Sequence, residues 1–179
     1  MIKLNLGSGP HAIPGWINYD SEYHPGVTPL DLSKGILPHA DNSVDYIFSE
    51  HAIEHFTKEQ GINLLKECYR VLKKNTGALR LSTPNLKELA EAYLYSHREL
   101  SKGIPGIWEP KSPCDLMNEG MRLWGHKYLW DEEELCKTLI EIGFDEPMGQ
   151  EERGDSIIPE LCNLEVRPQH FEMYIEVYR

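Results

Sequence analysis

The chain has 179 residues, 40% of them apolar, which suits one compact domain over residues 1–179 and is too little for two ordinary ones. With 29 acidic against 18 basic residues the net charge is −11, so a phosphate backbone is repelled and nucleic-acid binding is not expected. No apolar run approaches the roughly 20 residues that span a bilayer, and no membrane association is expected.

Residues 2–6, 16–19, 27–30 and 44–48 are short apolar stretches bounded by Gly, Pro, Asn, Asp and Ser, a pattern that predicts buried strands. Only residues 7–15 and 21–26 separate the first three, whereas a parallel crossover normally takes roughly a dozen residues or more. Those crossovers are therefore read as stripped to loops. One face of that half-sheet then needs other cover, from residues 84–128 folding back or from a second copy of the chain in a homodimer. A helix follows at 58–74, with Ile62, Leu65, Tyr69 and Leu72 on one face, Lys73 and Lys74 at its negative dipole end and Gly77 as its stop. A fifth strand is predicted at 78–82 and a second helix at 86–100. Residues 103–113, with Pro105, Pro110 and Pro113, read as too stiff and broken for regular structure. Asp131 and Glu134 announce a helix that ends at Gly143, and late strands are predicted at 144–148 and 171–178. Strands alternating with connections make this an α/β chain with a mostly parallel sheet.

Cys68, Cys114, Cys136 and Cys162 show no spacing that suits zinc or a redox dithiol, so free thiols are expected. A strand pattern beginning at residue 2 leaves no place for a signal peptide, and a cytoplasmic location is expected.

The chemistry concentrates in three places. Gly7-Ser8-Gly9 ends the first strand, where missing side chains let a ligand lie against backbone amides. Residues 7–12 also satisfy G-x-G-x-x-A, but Pro10 and Pro14 deny a pyrophosphate the regular helix it needs. Asp20 closes the second strand, where a carboxylate accepts hydrogen bonds from ribose hydroxyls, and Asp31 ends the third. Residues 45–56, DYIFSEHAIEHF, run from a strand into one helical turn. His51 and His55 there stand at a metal-like spacing, but no third ligand is identifiable and no metal site is expected.

Taken together, LNLGSG, the acid ending the second strand, DYIFSEHAIEHF and residues 67–85 (ECYRVLKKNTGALRLSTPN) resemble class I S-adenosylmethionine-dependent methyltransferases, in particular small bacterial members with a shortened N-terminal half. Residues 128–144 also fit. The resemblance implies a Rossmann-like, mostly parallel seven-stranded sheet with an antiparallel last strand. It implies S-adenosylmethionine as cofactor and S-adenosylhomocysteine as product, held by Gly7, Ser8 and Gly9 at the amino-acid part, Asp20 at the ribose, Asp31 and Leu32 at adenine, and Ser49, Glu50 and His51 at the methionine side. Where the family often carries a further glycine, this chain has His11.

Methyl transfer to a hydroxyl or amine benefits from a general base, for which His51 is the first candidate, with His126 and Tyr128 next. Residues 84–128 are read as a lid or insertion that sets the acceptor, which is a small molecule, a carbohydrate or a protein side chain. Trp108, Trp124 and Trp130 either stack on that acceptor or plug the bare sheet face. Two further readings stay open: a non-catalytic binding or assembly module of the same fold, and an NAD(P)-dependent oxidoreductase.

Overall fold

The computed structural model describes residues 1–95, 104, 106–147 and 152–179. Its centre is one six-stranded sheet of order β3-β2-β1-β4-β5-β6, built from β1 (Lys3–Leu6), β2 (Ile17–Asp20), β3 (Val27–Pro29), β4 (Tyr46–Glu50), β5 (Ala78–Pro84) and β6 (Glu172–Tyr178). The first five strands run parallel and β6 is antiparallel to β5. As expected, β1 to β2 and β2 to β3 are joined by loops without a helix.

The sheet has six strands, not the seven expected, because residues 144–147 form no strand. Gly143 caps the preceding helix in a left-handed conformation, and Asp145 then donates a single bond to the Tyr178 carbonyl (2.9 Å) before Pro147 removes the next donor. Met148, and residues 96–100 of the expected second helix, lie outside the described residues.

Side chains alternate across the strands, and the two faces differ in chemistry. Leu4, Leu6, Ile47, Leu79, Leu81, Met173, Ile175 and Val177 build the main core against Leu64, Leu65, Cys68 and Val71 of α1 (Lys58–Val71) and Leu135 and Leu139 of α4 (Glu132–Ile142). Thr57 and Gln60 close a reciprocal capping box on α1, and Asp131 caps α4 through the Glu134 amide (2.8 Å). α1 stops at Val71, short of the expected 74, because Leu72 turns extended and Lys73 N–H bonds to the Val44 carbonyl beside the sheet (2.9 Å).

The opposite face is polar. Asn5 donates to Asn18 Oδ1 (2.9 Å), which also accepts from the Ile13 amide (2.8 Å), so side chains tie down the loop that replaces the first crossover helix. Arg80, fully buried, donates to Glu165 (2.7 Å) and to the carbonyls of Asp155 (2.6 Å) and Glu152 (2.9 Å), with Glu176 at 3.4 Å. These bonds strap the coil of residues 152–165 across the sheet, where Ile158, Leu161 and Leu164 pack with Ile13, Trp16 and Phe48. The cover expected from residues 84–128 is thus supplied by a segment close to the C-terminus.

Residues 84–128 instead carry a small core of their own. Leu89 and Ala92 of α2 (Leu86–Tyr95) pack with Trp108 and with Leu116 of α3 (Pro113–Arg122). α3 was not expected, although Ser112 at its N-cap and Pro113 at its first turn are ordinary helix-start signals. Among the described residues no helix is long and apolar enough to cross a membrane.

Candidate active site

At the carboxyl ends of β1, β2 and β4 a cleft of about 690 Å³ is lined by Gly7, Gly9, Asp20, Asp31, Leu32, His51, Ala52 and His55, among others. Gly7 (φ 72°) and Gly9 (φ 51°) both use the left-handed region. A Cβ on Gly7 would stand 2.4 Å from the Ala52 Cβ, so bare backbone is a packing requirement there. Asp20 Oδ2 accepts from the Gly9 amide (2.8 Å) and Oδ1 from the Glu22 amide (3.0 Å), which orients the carboxylate at the edge of the cleft. Oδ1 also accepts from the Ser21 hydroxyl (3.4 Å), and Oδ2 keeps a further lone pair for a ligand hydroxyl. Asp31 is exposed, and the Ser33 hydroxyl on its Oδ1 lowers its pKa. A diol-accepting acid, an open glycine turn and a cavity within the roughly 300–1,000 Å³ of small-molecule sites suit a nucleoside cofactor.

Three expected cofactor ligands are placed elsewhere. Ser8 faces a separate hollow behind the turn, and the Ser49 hydroxyl donates to the Leu6 carbonyl (3.0 Å), bridging β4 to β1. Glu50, almost fully buried, accepts from the amides of Val166 (3.0 Å) and Arg167 (3.0 Å) and so anchors the chain that walls the site. These bonds tie its carboxylate to that wall, and it does not line the cleft.

A second pocket, of about 310 Å³, lies against the first and shares His51, His55 and Arg167 with it. Its walls are chiefly apolar, including Pro84, Leu89, Ile104, Trp124 and Phe171, with Glu54, His126 and His170 among them. Of the expected tryptophans only Trp124 reaches it. Trp130 is in the main core, and Trp108 is in the small one, donating to Glu119 (2.7 Å). Arg167 donates to the carbonyls of Gly7 (3.0 Å) and His51 (3.3 Å) and forms part of the wall between the two cavities.

His51 is not placed as a general base. Its ring bridges two buried carboxylates, Nδ1 to Glu54 at 3.1 Å and Nε2 to Glu172 at 2.6 Å. Burial alone would depress its pKa, but the bonds to Glu172 and Glu54 outweigh that and raise it to about 9. At neutral pH both nitrogens carry protons, leaving no lone pair to accept another. Tyr128 lines neither cavity; it packs edge-on against Trp130 at 4.8 Å and under the Lys58 ammonium at 5.6 Å.

His126 does reach the pocket. Its Nδ1 stands 3.0 Å from the Gly120 carbonyl, which fixes Nδ1 as the protonated nitrogen and leaves a lone pair on Nε2. The His55 ring meets it edge-on at 5.2 Å, and burial lowers the pKa of His55. His170 is likewise kept neutral, its pKa lowered to about 4 by burial and by the cationic His51. Arg167 and His170 carry no motif and had no signal in the sequence; His55 did, in its spacing from His51.

Residues 14–79 match the methyltransferase domain family. A SAM-dependent methyltransferase from Thermotoga maritima shares the fold at a TM-score of 0.59 and 21% identity, over 98% of this chain and 81% of that one. One from Mesorhizobium loti does so at 0.56 and 17%, over 99% and 90%. PigF, solved with SAH, follows at 0.53 and 13%, over 99% of this chain and 50% of its own. No protein of curated function matches the chain in sequence. Residues 14–79 thus match a methyltransferase domain, and they lie inside a fold that the chain shares along nearly its whole length with SAM-dependent methyltransferases.

Proposed function

We propose that the chain methylates a small molecule seated in the 310 Å³ pocket, with S-adenosylmethionine in the cleft beside the glycine turn. One observation carries the acceptor assignment. Among the described residues, the left-handed residues that are neither Gly nor Asn are His51 (φ 51°), Trp124 (φ 61°) and Phe171 (φ 43°), and all three line this pocket. Each such residue costs roughly 1–3 kcal/mol and persists where the surrounding structure holds it, which clusters at ligand sites.

When bound, the cofactor supplies an electrophilic methyl group on a sulfonium. Asp20 would hold the ribose, Asp31 and Leu32 would flank the adenine, and the open backbone of Gly7 and Gly9 would take the amino-acid end. The contribution of the chain to the transfer is placement, since an in-line nucleophile roughly 3 Å from the methyl group needs little more. His51 acts as a fixed cation between the two cavities, and His126 lines the polar end of the acceptor pocket. The apolar walls exclude water from the reacting atoms.

Calorimetric titration tests this reading. S-adenosylhomocysteine and S-adenosylmethionine are expected to bind one per chain, and NAD is expected not to bind. Tighter binding of NAD than of either sulfur cofactor would overturn it.

A further inference from the structure

We propose that Glu54, His55 and His126 form a binding site for a first-row divalent transition ion at the floor of the second pocket. Their ligating atoms lie within 4.8 Å of one another, so a small contraction brings them onto one ion. Glu54 and His55 share a single helical turn (Ile53–His55), and His126 is brought to them by two successive left-handed residues, Trp124 and Gly125 (φ 82°). The spacing of His51 and His55 pointed to the wrong pair, since the third donor lies far along the chain.

The supporting contacts are those that a metal site needs. His126 is oriented by its Nδ1–H bond to the Gly120 carbonyl (3.0 Å), which aims the Nε2 lone pair at the cluster. The Glu54 carboxylate, fully buried, is held by the Thr83 hydroxyl on Oε2 (3.0 Å) and by His51 on Oε1 (3.1 Å). Each of its oxygens retains a lone pair for an ion. Two imidazoles and one carboxylate favour Zn²⁺, Co²⁺, Fe²⁺ or Mn²⁺ over Mg²⁺ and Ca²⁺, which take oxygen ligands. Three donors leave coordination positions facing the pocket. If that pocket is the acceptor site, as proposed above, those positions receive the nucleophilic heteroatom of the acceptor and orient it.

The test uses the full chain without cofactor and Co²⁺ alone as the probe, read by its ligand-field absorption and by calorimetry. One Co²⁺ per chain is expected, undisplaced by an equal concentration of Mg²⁺. His126→Ala and His55→Ala are each expected to weaken it by more than the roughly 10- to 100-fold that loss of an outer-shell partner costs. His126→Ala, at a residue outside the cofactor cleft, is expected to keep S-adenosylhomocysteine affinity, which shows that it folds, and a cooperative thermal transition reports the folding of His55→Ala. Equal Co²⁺ affinity in wild type and His126→Ala overturns the site, and displacement by Mg²⁺ overturns the transition-ion assignment. Absence of Co²⁺ binding in a wild type that still binds S-adenosylhomocysteine removes the ion site alone. Binding of Co²⁺ without either sulfur cofactor keeps the ion site and removes the methyltransferase reading.

Discussion

The two cavities that meet at His51, His55 and Arg167 are made in different ways. The cleft beside the glycine turn is largely a product of local backbone: Gly7 and Gly9 end one strand, Asp20 ends its neighbour, and a single bond from the Gly9 amide to Asp20 joins them. The second pocket is assembled from separate parts of the chain, among them the turn after β4, α2, the end of α3 and residues 167–171. A backbone site tolerates drift elsewhere in the chain, whereas a composite pocket is only as good as the contacts that hold each remote part in place.

The strongest way to break this contrast is through Arg80. It touches neither cavity, yet it fastens residues 152–165, and the segment they lead into walls the second pocket. Arg80→Met leaves Glu165 and Glu176 buried without their cation, and breaking a buried pair in this way costs about 3–5 kcal/mol. Urea unfolding is expected to show a loss of that size. A loss under 1 kcal/mol would mean that the coil is held by its apolar contacts and that the composite pocket does not depend on the buried cation.

The same contrast explains what could be read from residues alone. The glycine turn, Asp20 and the Asp131-capped start of α4 are contiguous signals whose physics acts within a few residues, and the structure has them where they were expected. Glu50 illustrates the limit: its position at a strand end suggested a cofactor ligand, but its partners, Val166 and Arg167, lie far along the chain. His51 failed for the same reason, because Glu172, on β6, fixes its protonation. The cover over the polar sheet face was misassigned since residues 152–165 have no periodic pattern, and what holds them is an arginine in the middle of a strand that reads as apolar.

A sharper, more confined effect is expected in the first cleft. Asp20→Ala removes the acceptor of the Gly9 amide and the group proposed to hold the ribose. A hydrogen bond to a charged group contributes about 1.5–3 kcal/mol, so S-adenosylhomocysteine affinity should fall roughly 10- to 100-fold. Co²⁺ affinity should stay unchanged, since Asp20 does not line the second pocket. Unaltered cofactor affinity would remove Asp20 from the site.

The smallest effect concerns His170, which lines the composite pocket only. Burial first, and the cationic His51 second, lower its pKa to about 4, while in the unfolded chain it titrates near 6.5. Between these values the unfolded state takes up a proton that the folded state refuses, so stability falls as pH drops from about 6.5 to about 4 and is unaffected by this group above that window. His170→Phe keeps a ring against Trp108 and Phe171 and removes the titration. The other carboxylates and histidines titrate in both proteins and cancel in the difference, so the Tm of wild type relative to the variant should decline steadily from pH 7 to pH 4. A difference that stays constant across that range would mean that His170 protonates in the folded pocket as readily as in water, and that the wall it forms is open to solvent.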